Sequence, residues 1–434
     1  MEWYTILIGG VMALIALFAT GIPLFIGFLI VNVGGIYLLA GERGFVLIAN
    51  SMFNTANISA LTAIPLFILM GELLTRSGSV NMLFTSMDRL IGNIRGRQYV
   101  LTIFVSVIFG ALSGAAMAVS AMMARSLYPT MLERNYDRRL SIGAILAGSS
   151  LAPIIPPSVL VVLVATLADL SVAKLLVAGI IPGLIAAALF LGYISLRVFF
   201  DKSLSPDVEV VSEKGLLAKL TAIGLMLPFS ITIFSVMGLI LLGIATPSEA
   251  AATGVIGSLL VAGIYRKLSW QMVWKSLEAA ATMTAMILMI VVSSNLFGQL
   301  LAFTGSTRKL VTFGATLSNS PYVMLTMLLA VVFVMCMFLD QTALMLILVP
   351  IFVPLIAGFQ FDPIWFWMLV LLNLTVGGIT PPFGYTMFAF KAGAPETELS
   401  DIYYASLPFV ILFLVLMAII ITFPSLATYL PELL

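Results

Sequence analysis

The sequence contains no histidine and only one cysteine, Cys336. A metal site made of Cys and His ligands is therefore excluded, and so is a histidine acid–base centre. One cysteine cannot form a disulfide within the chain. The polar patterns of a membrane-embedded enzyme, such as a Ser–Lys or an Asp–Asp pair at membrane depth, are not visible either. We do not expect an enzyme, and no cofactor is indicated.

Charge is also scarce, because only 9% of the residues are charged and 62% are hydrophobic. Soluble domains carry roughly 25% charged residues. The net charge of +1 comes without a basic cluster on an amphipathic face, so nucleic-acid binding is not indicated. Apolar runs long enough to cross a bilayer recur along the chain. Examples are Trp3–Thr20, Leu225–Leu242, Ala279–Phe303 and Pro408–Phe423. The composition predicts an all-α, multi-pass membrane protein.

An internal repeat is visible in the prolines. Pro129 and Pro156-Pro157 recur as Pro354 and Pro381-Pro382 at one offset of 225 positions. At nearly the same offset, the stretch 20–23 matches 244–247 and the stretch 71–78 matches 298–305. We interpret the chain as a duplication with three parts. They are a first repeat over 1–200 with a hairpin at 100–130, a cytoplasmic linker over 201–219, and a second repeat over 220–434 with a hairpin at 321–358.

The positions of Lys and Arg predict the topology, since basic residues accumulate on the cytoplasmic side. We expect about ten transmembrane helices, and we interpret the two hairpins as re-entrant. The expected spans are 3–20, 23–40, 59–75, 140–168 (broken), 175–197, 222–242, 248–264, 279–303, 364–390 (broken) and 402–424. With both termini on the periplasmic side, fifteen basic residues fall inside and four outside. Five crossings per half make the second half inverted, as in many secondary transporters.

Non-helical backbone is expected at four places at membrane depth: hairpin tips at 112–115 and 339–342, and helix breaks at 149–158 and 375–384. Such backbone must be buried or must line a cavity. Its carbonyls, with Ser and Thr hydroxyls, suit Na⁺, and the N-termini of resumed half-helices suit an anionic substrate. The simpler alternative is that Pro-Pro and Gly-Gly only kink the helices for packing.

Asp340 is the most informative single residue, because no other charged side chain lies between Lys309 and Asp362. A carboxylate in a membrane segment is a functional hypothesis by default. The alternative is a hydrogen-bonded packing residue. For Glu72 and Glu249, near predicted span ends, we favour a structural role, and Arg125 is expected to extend to the cytoplasmic surface.

Five stretches resemble the large (M, DctM-type) membrane subunit of tripartite ATP-independent periplasmic (TRAP) transporters, and the resemblance covers nearly the whole chain. They are Leu112–Ala115, Ala152–Ser158, Ala178–Gly183, Ala245–Ala251 and Gly378–Gly384. Ala116 and Met117 replace part of the small, serine-containing run that is usual in the family's first hairpin. The resemblance implies the elevator-type architecture of the ion-transporter superfamily in a bacterial or archaeal inner membrane.

The resemblance also implies Na⁺-driven import of an organic acid, together with a small four-helix membrane subunit and a periplasmic substrate-binding protein. In the family each sodium site pairs a hairpin tip with a helix break. Carried over to this chain, the sodium residues are Ser113, Ser149, Ser150, Ala152, Asp340, Thr342, Thr375, Gly377 and Thr380. The substrate would lie between the tips, near Ser113, Gly114, Pro157, Ser158 and Thr380.

Two alternatives within transport remain open. A self-sufficient single-chain sodium/carboxylate symporter of the same superfamily would share the inverted repeat and need no binding protein. A channel fits less well, because occluded polar breaks suit alternating access better than a continuous pore. The sequence does not distinguish a C4-dicarboxylate from sialic acid or another carboxylate.

Overall fold

The computed structural model is helical throughout its ordered elements and describes residues 3–77, 86–88, 90–91, 94–206, 216–317 and 320–434. This confirms the predicted all-α class. The helices are α1 (Trp3–Ala19), α2 (Leu24–Ala40), α3 (Phe45–Ala56), α4 (Ala63–Arg76), α5 (Arg97–Ser113), α6 (Ala116–Ser126), α7 (Tyr128–Glu133), α8 (Arg138–Ser149), α9 (Val159–Leu167), α10 (Val172–Ala178), α11 (Ile180–Phe200), α12 (Leu216–Leu241), α13 (Pro247–Ile264), α14 (Trp270–Phe303), α15 (Ser306–Leu317), α16 (Pro321–Cys336), α17 (Gln341–Gly358), α18 (Pro363–Gly377), α19 (Tyr385–Gly393), α20 (Leu399–Thr422) and α21 (Ser425–Glu432).

Seven helical segments of the described chain are at least 18 residues long and apolar enough to cross a bilayer. They are Ser59–Arg76, Val172–Phe200, Leu220–Leu241, Pro247–Ile264, Trp270–Phe303, Gln341–Gly358 and Leu399–Thr422. The expected number was about ten. The difference arises because α1 and α2 have 17 residues each and because the two broken helices are divided into shorter pieces.

The helix ends fall where the sequence predicts interruptions. Helix α5 ends before Gly114, which has a positive φ of 62°, and α16 is separated from α17 by residues 337–340. Residues 150–158 separate α8 from α9, and residues 378–384 separate α18 from α19. The helices are therefore interrupted at the four expected places, while the hairpin geometry and the repeat boundaries stay predictions. The inverted orientation of the halves stays a prediction.

The two broken helices begin and break in the same manner. Asp137 accepts a hydrogen bond from the N–H of Leu140 at 2.7 Å, and Asp362 accepts one from Trp365 at 2.8 Å, so both helices start with an aspartate cap. Both breaks contain a cis Pro-Pro bond, at Pro156-Pro157 and Pro381-Pro382. Proline offers no N–H and cannot continue the helix. Local sequence therefore defines both ends of α8 and α18.

Two groups of helices pack around the broken ones. In the first group α4 packs against α13 and α14, α14 also contacts α2 and α3, and α12 packs against α13. In the second group α5 packs on α8, α16 on α18, and α20 on both α8 and α18. The most buried large side chains include Trp367 of α18 and Phe409 of α20. The hairpins and broken helices thus lie in the core of the fold.

Three features were not predicted. Helix α3 lies between expected spans, α14 begins at Trp270 and not at 279, and the span expected at 175–197 is interrupted at Gly179. A Cβ on Gly179 would collide with the carbonyl oxygen of Ile154, so this glycine lets α10 and α11 approach the first break. Residues 207–215 of the predicted linker lie outside the described residues.

Replacing Gly143 of α8 by alanine is expected to destabilise the fold. A Cβ there would lie 2.5 Å from the Phe409 ring and 2.7 Å from the carbonyl oxygen of Ala405, so α20 would have to move. Overpacking of this kind costs about 1–3 kcal/mol. Gly192→Ala of α11 is the matched control, since no atom lies within 4 Å of its Cβ position. We expect a lower unfolding midpoint in detergent for Gly143→Ala alone; equal midpoints would contradict the close α8–α20 packing.

Candidate functional site

The hairpins and broken helices are interlocked. The first arm of each hairpin packs on the first segment of the broken helix in its own half, α5 on α8 and α16 on α18. The second arm packs on the second segment in the other half, α6 on α19 and α17 on α9. Ser120 of α6 donates a hydrogen bond to the carbonyl of Thr386 at 3.0 Å, which joins the two halves. Each tip is therefore held between elements of both halves.

The first tip lies directly on the first break. A Cβ on Gly110 would lie 2.8 Å from the Cα of Ala152. A Cβ on Gly114 would lie 3.3 Å from the nitrogen of Val159 and 3.8 Å from the Cα of Ser158. The structure therefore brings Gly114, Ala152 and Ser158 of the predicted site together. The side chain of Ser113 is outside the described part of the chain.

The hydroxyls of the first break are fully buried and donate to nearby carbonyls. Ser149 donates to Leu146 at 3.0 Å, and Ser150 donates to Ala147 at 2.7 Å. Ser158 donates to the carbonyl of Pro153 at 2.8 Å. A hydroxyl has one proton and two acceptor lone pairs. Because the proton of each is engaged, its oxygen remains able to act as a ligand for a cation. Pro157 lies beside them in the buried break.

The second tip is fastened to the second break at three points. Cys336, at the end of α16, is packed so closely on Gly377 that a side chain at that position would collide with it. The rings of Phe338 and Phe383 have centroids 6.0 Å apart. The hydroxyl of Tyr385 lies 2.7 Å from the Oε1 of Gln341 and donates to it. The second tip and the second break are therefore in direct contact.

The threonines of the second break repeat the pattern of the first. The hydroxyl of Thr375 donates to the carbonyl of Leu371 at 2.8 Å, and that of Thr380 donates to Val376 at 2.7 Å. Both side chains are buried. Their oxygens also keep free lone pairs. Thr342 belongs to the first turn of α17 and donates its N–H to Asp340.

Asp340 is the N-cap of α17. Its Oδ2 accepts from the N–H of Thr342 at 2.9 Å and from that of Ala343 at 3.4 Å. The side chain is exposed, and no ion pair with a lysine or arginine is recorded for it in the described chain. The helix terminus compensates its charge, because N–H groups and the positive end of the dipole favour an anion. A capping role is therefore visible, whereas a direct contact with Thr375 or Thr380 is not.

Helix ends give the site its electrostatic character. The C-termini of α8 and α18 end at the two breaks and carry partial negative charge, which favours a cation. The N-termini of α6, α9 and α19 begin at the first tip and at the two breaks and carry partial positive charge, which favours an anion. A cation and a carboxylate can thus be held close together without Lys or Arg side chains.

Two buried oxygens beside the breaks have no hydrogen-bond partner among the described residues. The Ser106 hydroxyl on α5 lies 2.5 Å from the Cβ position of Gly148, next to Ser149. The Oδ1 of Asn373 is unpartnered one helical turn before Gly377, while its Nδ2 donates to Leu329 at 2.7 Å. Buried polar atoms without a partner are costly, and these two oxygens are available to a ligand. Nothing local in the sequence distinguishes either residue.

Two of the weaker candidates, Glu72 and Glu249, have structural roles. Glu72 forms an ion pair with Arg76 at 2.6 Å within α4. Glu249 completes a capping box with Thr246 at the start of α13. Arg125 is exposed in the last turn of α6. None of these side chains belongs to the tips or breaks.

Comparisons with known proteins identify relatives of the whole chain. The profile of the family described as tripartite ATP-independent periplasmic transporter, DctM component, matches residues 11–426. The ectoine TRAP transporter large permease protein TeaC of Halomonas elongata is 28% identical over 426 residues, covering 98% of each chain. The C4-dicarboxylate TRAP transporter large permease protein DctM of Pseudomonas aeruginosa is 29% identical over 391 residues, covering 89% of each.

Two further similarities agree with these. The sialic acid TRAP transporter large permease protein SiaM of Vibrio cholerae is 26% identical over 431 residues, covering 98% of this chain and 99% of that one. Among solved structures, the YdaH transporter of Alcanivorax borkumensis matches with a TM-score of 0.61 at 15% identity, covering 90% of each chain. At that identity the structural match supports the fold alone.

The capping role of Asp340 predicts a local effect that depends on the substituent. Asp340→Ala removes the acceptor for Thr342 and Ala343 and should cost about 1 kcal/mol, whereas Asp340→Asn should retain the cap. The matched control is Asp362→Ala, which removes the aspartate cap of α18 and leaves that of α17 intact. Hydrogen exchange in detergent should accelerate at the first turn of α17 only in Asp340→Ala. Equal exchange in Asp340→Ala and the wild type would show that the cap does not stabilise α17.

Proposed function

This chain belongs to the DctM family of tripartite ATP-independent periplasmic transporters, and on that premise we propose that it is the permease subunit of a sodium-coupled organic-acid importer. The observation that carries the proposal is the pairing of each hairpin tip with a helix break, in a site without Lys or Arg. Broken helices of this kind bind substrate and coupling ions near the membrane midplane in secondary transporters. The proposal assigns transport and no enzymatic activity to this chain.

The coupling ion fits both breaks. At the first break, Ser149 and Ser150 offer hydroxyl oxygens with their protons already engaged, and Ala152 offers a carbonyl beside the tip at Ser113. The second break offers the same chemistry. Its proposed ligands are Asp340, Thr342, Thr375, Gly377 and Thr380. Unwound carbonyls and the C-terminal ends of half-helices coordinate Na⁺ in comparable transporters. The unpartnered oxygens of Ser106 and Asn373 support an ion at each break.

The substrate class follows from the helix N-termini and from the relatives. Ectoine, C4-dicarboxylates and sialic acid, named for three relatives, all carry a carboxylate. The N-termini of α6, α9 and α19 favour an anion, and they begin close to Ser113, Gly114, Pro157, Ser158 and Thr380. An organic acid bound between the tips would therefore be compensated by backbone N–H groups and by nearby Na⁺.

The remaining parts of the proposal concern assembly and movement. A tripartite system adds a small membrane subunit and a periplasmic substrate-binding protein to this chain in the inner membrane. The first helix group presents exposed apolar side chains, such as Leu38 at 84% and Phe234 at 75% exposure, which lipid or a membrane subunit would cover. The interlocked hairpins and broken helices would move as one body against this group, which is an elevator-type mechanism.

Sodium coupling has an energetic consequence. Each net positive charge that enters down about 100 mV contributes about 2.3 kcal/mol, which corresponds to roughly 40-fold accumulation. If the coupled Na⁺ ions outnumber the negative charges on the substrate, uptake responds to voltage. Without net charge movement, the Na⁺ gradient alone drives accumulation.

Asp340→Asn separates the sodium role from the capping role. The asparagine keeps the cap but removes the charge, so we expect normal folding, a large loss of Na⁺-driven uptake, and a half-maximal rate at about tenfold higher Na⁺, equivalent to about 1.4 kcal/mol. Thr380→Ala should show a milder shift. The matched control is Thr326→Ala on α16, whose hydroxyl also donates to its own helix, at Tyr322, but away from the break.

The measurement is the initial uptake rate against Na⁺ concentration in proteoliposomes containing all three components, at equal reconstitution. Superimposable curves for wild type and Asp340→Asn would assign Asp340 to capping alone. Uptake that is unchanged when choline replaces Na⁺, with no pH gradient, would contradict sodium coupling itself.

Assembly can be tested separately. Expressed with a cognate small membrane subunit and binding protein, the chain should co-purify with the small subunit as a stable pair. It should transport in liposomes only when the loaded binding protein is added. Full transport by this chain alone would contradict the tripartite proposal and favour a single-chain symporter.

A further inference from the structure

A partly open cavity of about 440 Å³ lies between α17 and the helices α3 and α14 of the first group, away from the tips and breaks. Helices α3 and α14 form one wall, α17 forms the other, and Leu167 at the end of α9 borders it. It meets α17 at Val349, more than two helical turns after Asp340. Ligand pockets usually measure about 300–1,000 Å³. This one is large enough for a compact organic solute.

Most of the cavity lining is apolar, and its polar groups are uncharged. None of the described residues that line it has an ionisable side chain. Its polar side chains include Ser51, Asn54, Thr55, Ser294, Asn295 and Gln299. The lining offers no cation that would compensate a carboxylate. Hydroxyls and amides can instead pair with both donors and acceptors of a neutral solute.

Two groups at the cavity lack their usual partners. Ser51 is only 1% exposed, and its hydroxyl has no hydrogen-bond partner among the described residues. On α17, Pro354 has no N–H to offer to the carbonyl of Pro350, and both prolines line the cavity. The Ser51 hydroxyl can therefore donate and accept a hydrogen bond on one wall, and the Pro350 carbonyl can accept one on the opposite wall.

Neighbouring polar groups are already oriented. Ser294 donates to the carbonyl of Leu346 at 2.8 Å, which replaces the N–H that Pro350 lacks. The Nδ2 of Asn295 donates to the Oγ1 of Thr55 at 3.1 Å, which leaves the Oδ1 of Asn295 as an acceptor. The lining is thus partly preorganised for hydrogen bonding.

We propose that this cavity binds a compact, uncharged polyhydroxy or amide solute at a site separate from the carboxylate site. The solute would hydrogen-bond to Ser51 on α3 and to the Pro350 carbonyl on α17. Because these groups belong to opposite walls, the bound solute connects α3 of the first helix group with α17. This binding does not depend on sodium coupling or on the tripartite assembly.

The test uses the full chain purified in detergent and titrated calorimetrically with N-acetyl-D-glucosamine, myo-inositol and succinate. We expect saturable binding of at least one neutral probe. Ser51→Ala should weaken it about fivefold, as expected for the loss of one hydrogen bond. Ala302→Phe and Ser51→Leu fill the cavity and should abolish binding. Thr316→Val on α15 is the control, since its hydroxyl donates to Phe313 outside the cavity.

Unfolding midpoints identify which variants are folded, and two filling variants are included in case one is not. Absence of saturable binding by both neutral probes to folded wild type would overturn the proposal. Equal binding to wild type and a folded filling variant would place the solute elsewhere. Succinate binding that is lost in the filling variants, without binding of the neutral probes, would assign the cavity to the path of the acid.

Discussion

The satisfaction of backbone hydrogen bonds at the interrupted helices is the constraint on which the rest of this structure depends. Water is not available in the hydrocarbon to solvate groups that proline and glycine release. Ser158 therefore donates to the carbonyl of Pro153, and Thr380 donates to that of Val376. The hairpin tips then cover the breaks, with Gly110 against Ala152. Glycines occur at these contacts because any side chain would separate the elements.

The same arrangement provides the chemistry of the site. Each hydroxyl that stabilises a break donates a hydrogen bond to a carbonyl, and its oxygen retains lone pairs. In the proposed site, structure and ion binding would therefore use different parts of the same groups, and such a site would need almost no ionisable residues. This agrees with a chain that is 9% charged and has no histidine. Asp340 is the exception, and its charge is balanced first by the N-terminus of α17.

The sequence could predict whatever depends on local chemistry. Pro156-Pro157, Pro381-Pro382 and the Ser113-Gly114 turn mark the interruptions, so the order of hairpins and broken helices was foreseeable. The contact between Tyr385 and Gln341 was not, because it joins residues 44 positions apart through tertiary packing. Helix α3 was missed because it is short, and the interruption at Gly179 follows from the approach of Ile154, which no local pattern records. The proposed ligand residues come from segments that are far apart in the sequence, so no local pattern shows that they lie close together.

The contact between α14 and α17 bears directly on the elevator-type movement proposed above. Pro350 frees the carbonyl of Leu346, and Ser294 of α14 donates to it. A net hydrogen bond of this kind contributes about 0.5–1.5 kcal/mol. One charge crossing about 100 mV supplies about 2.3 kcal/mol. Breaking this bond is thus well within the free energy available to a coupled ion, so the fold can hold α17 in place at rest and still release it when the proposed transport cycle requires movement.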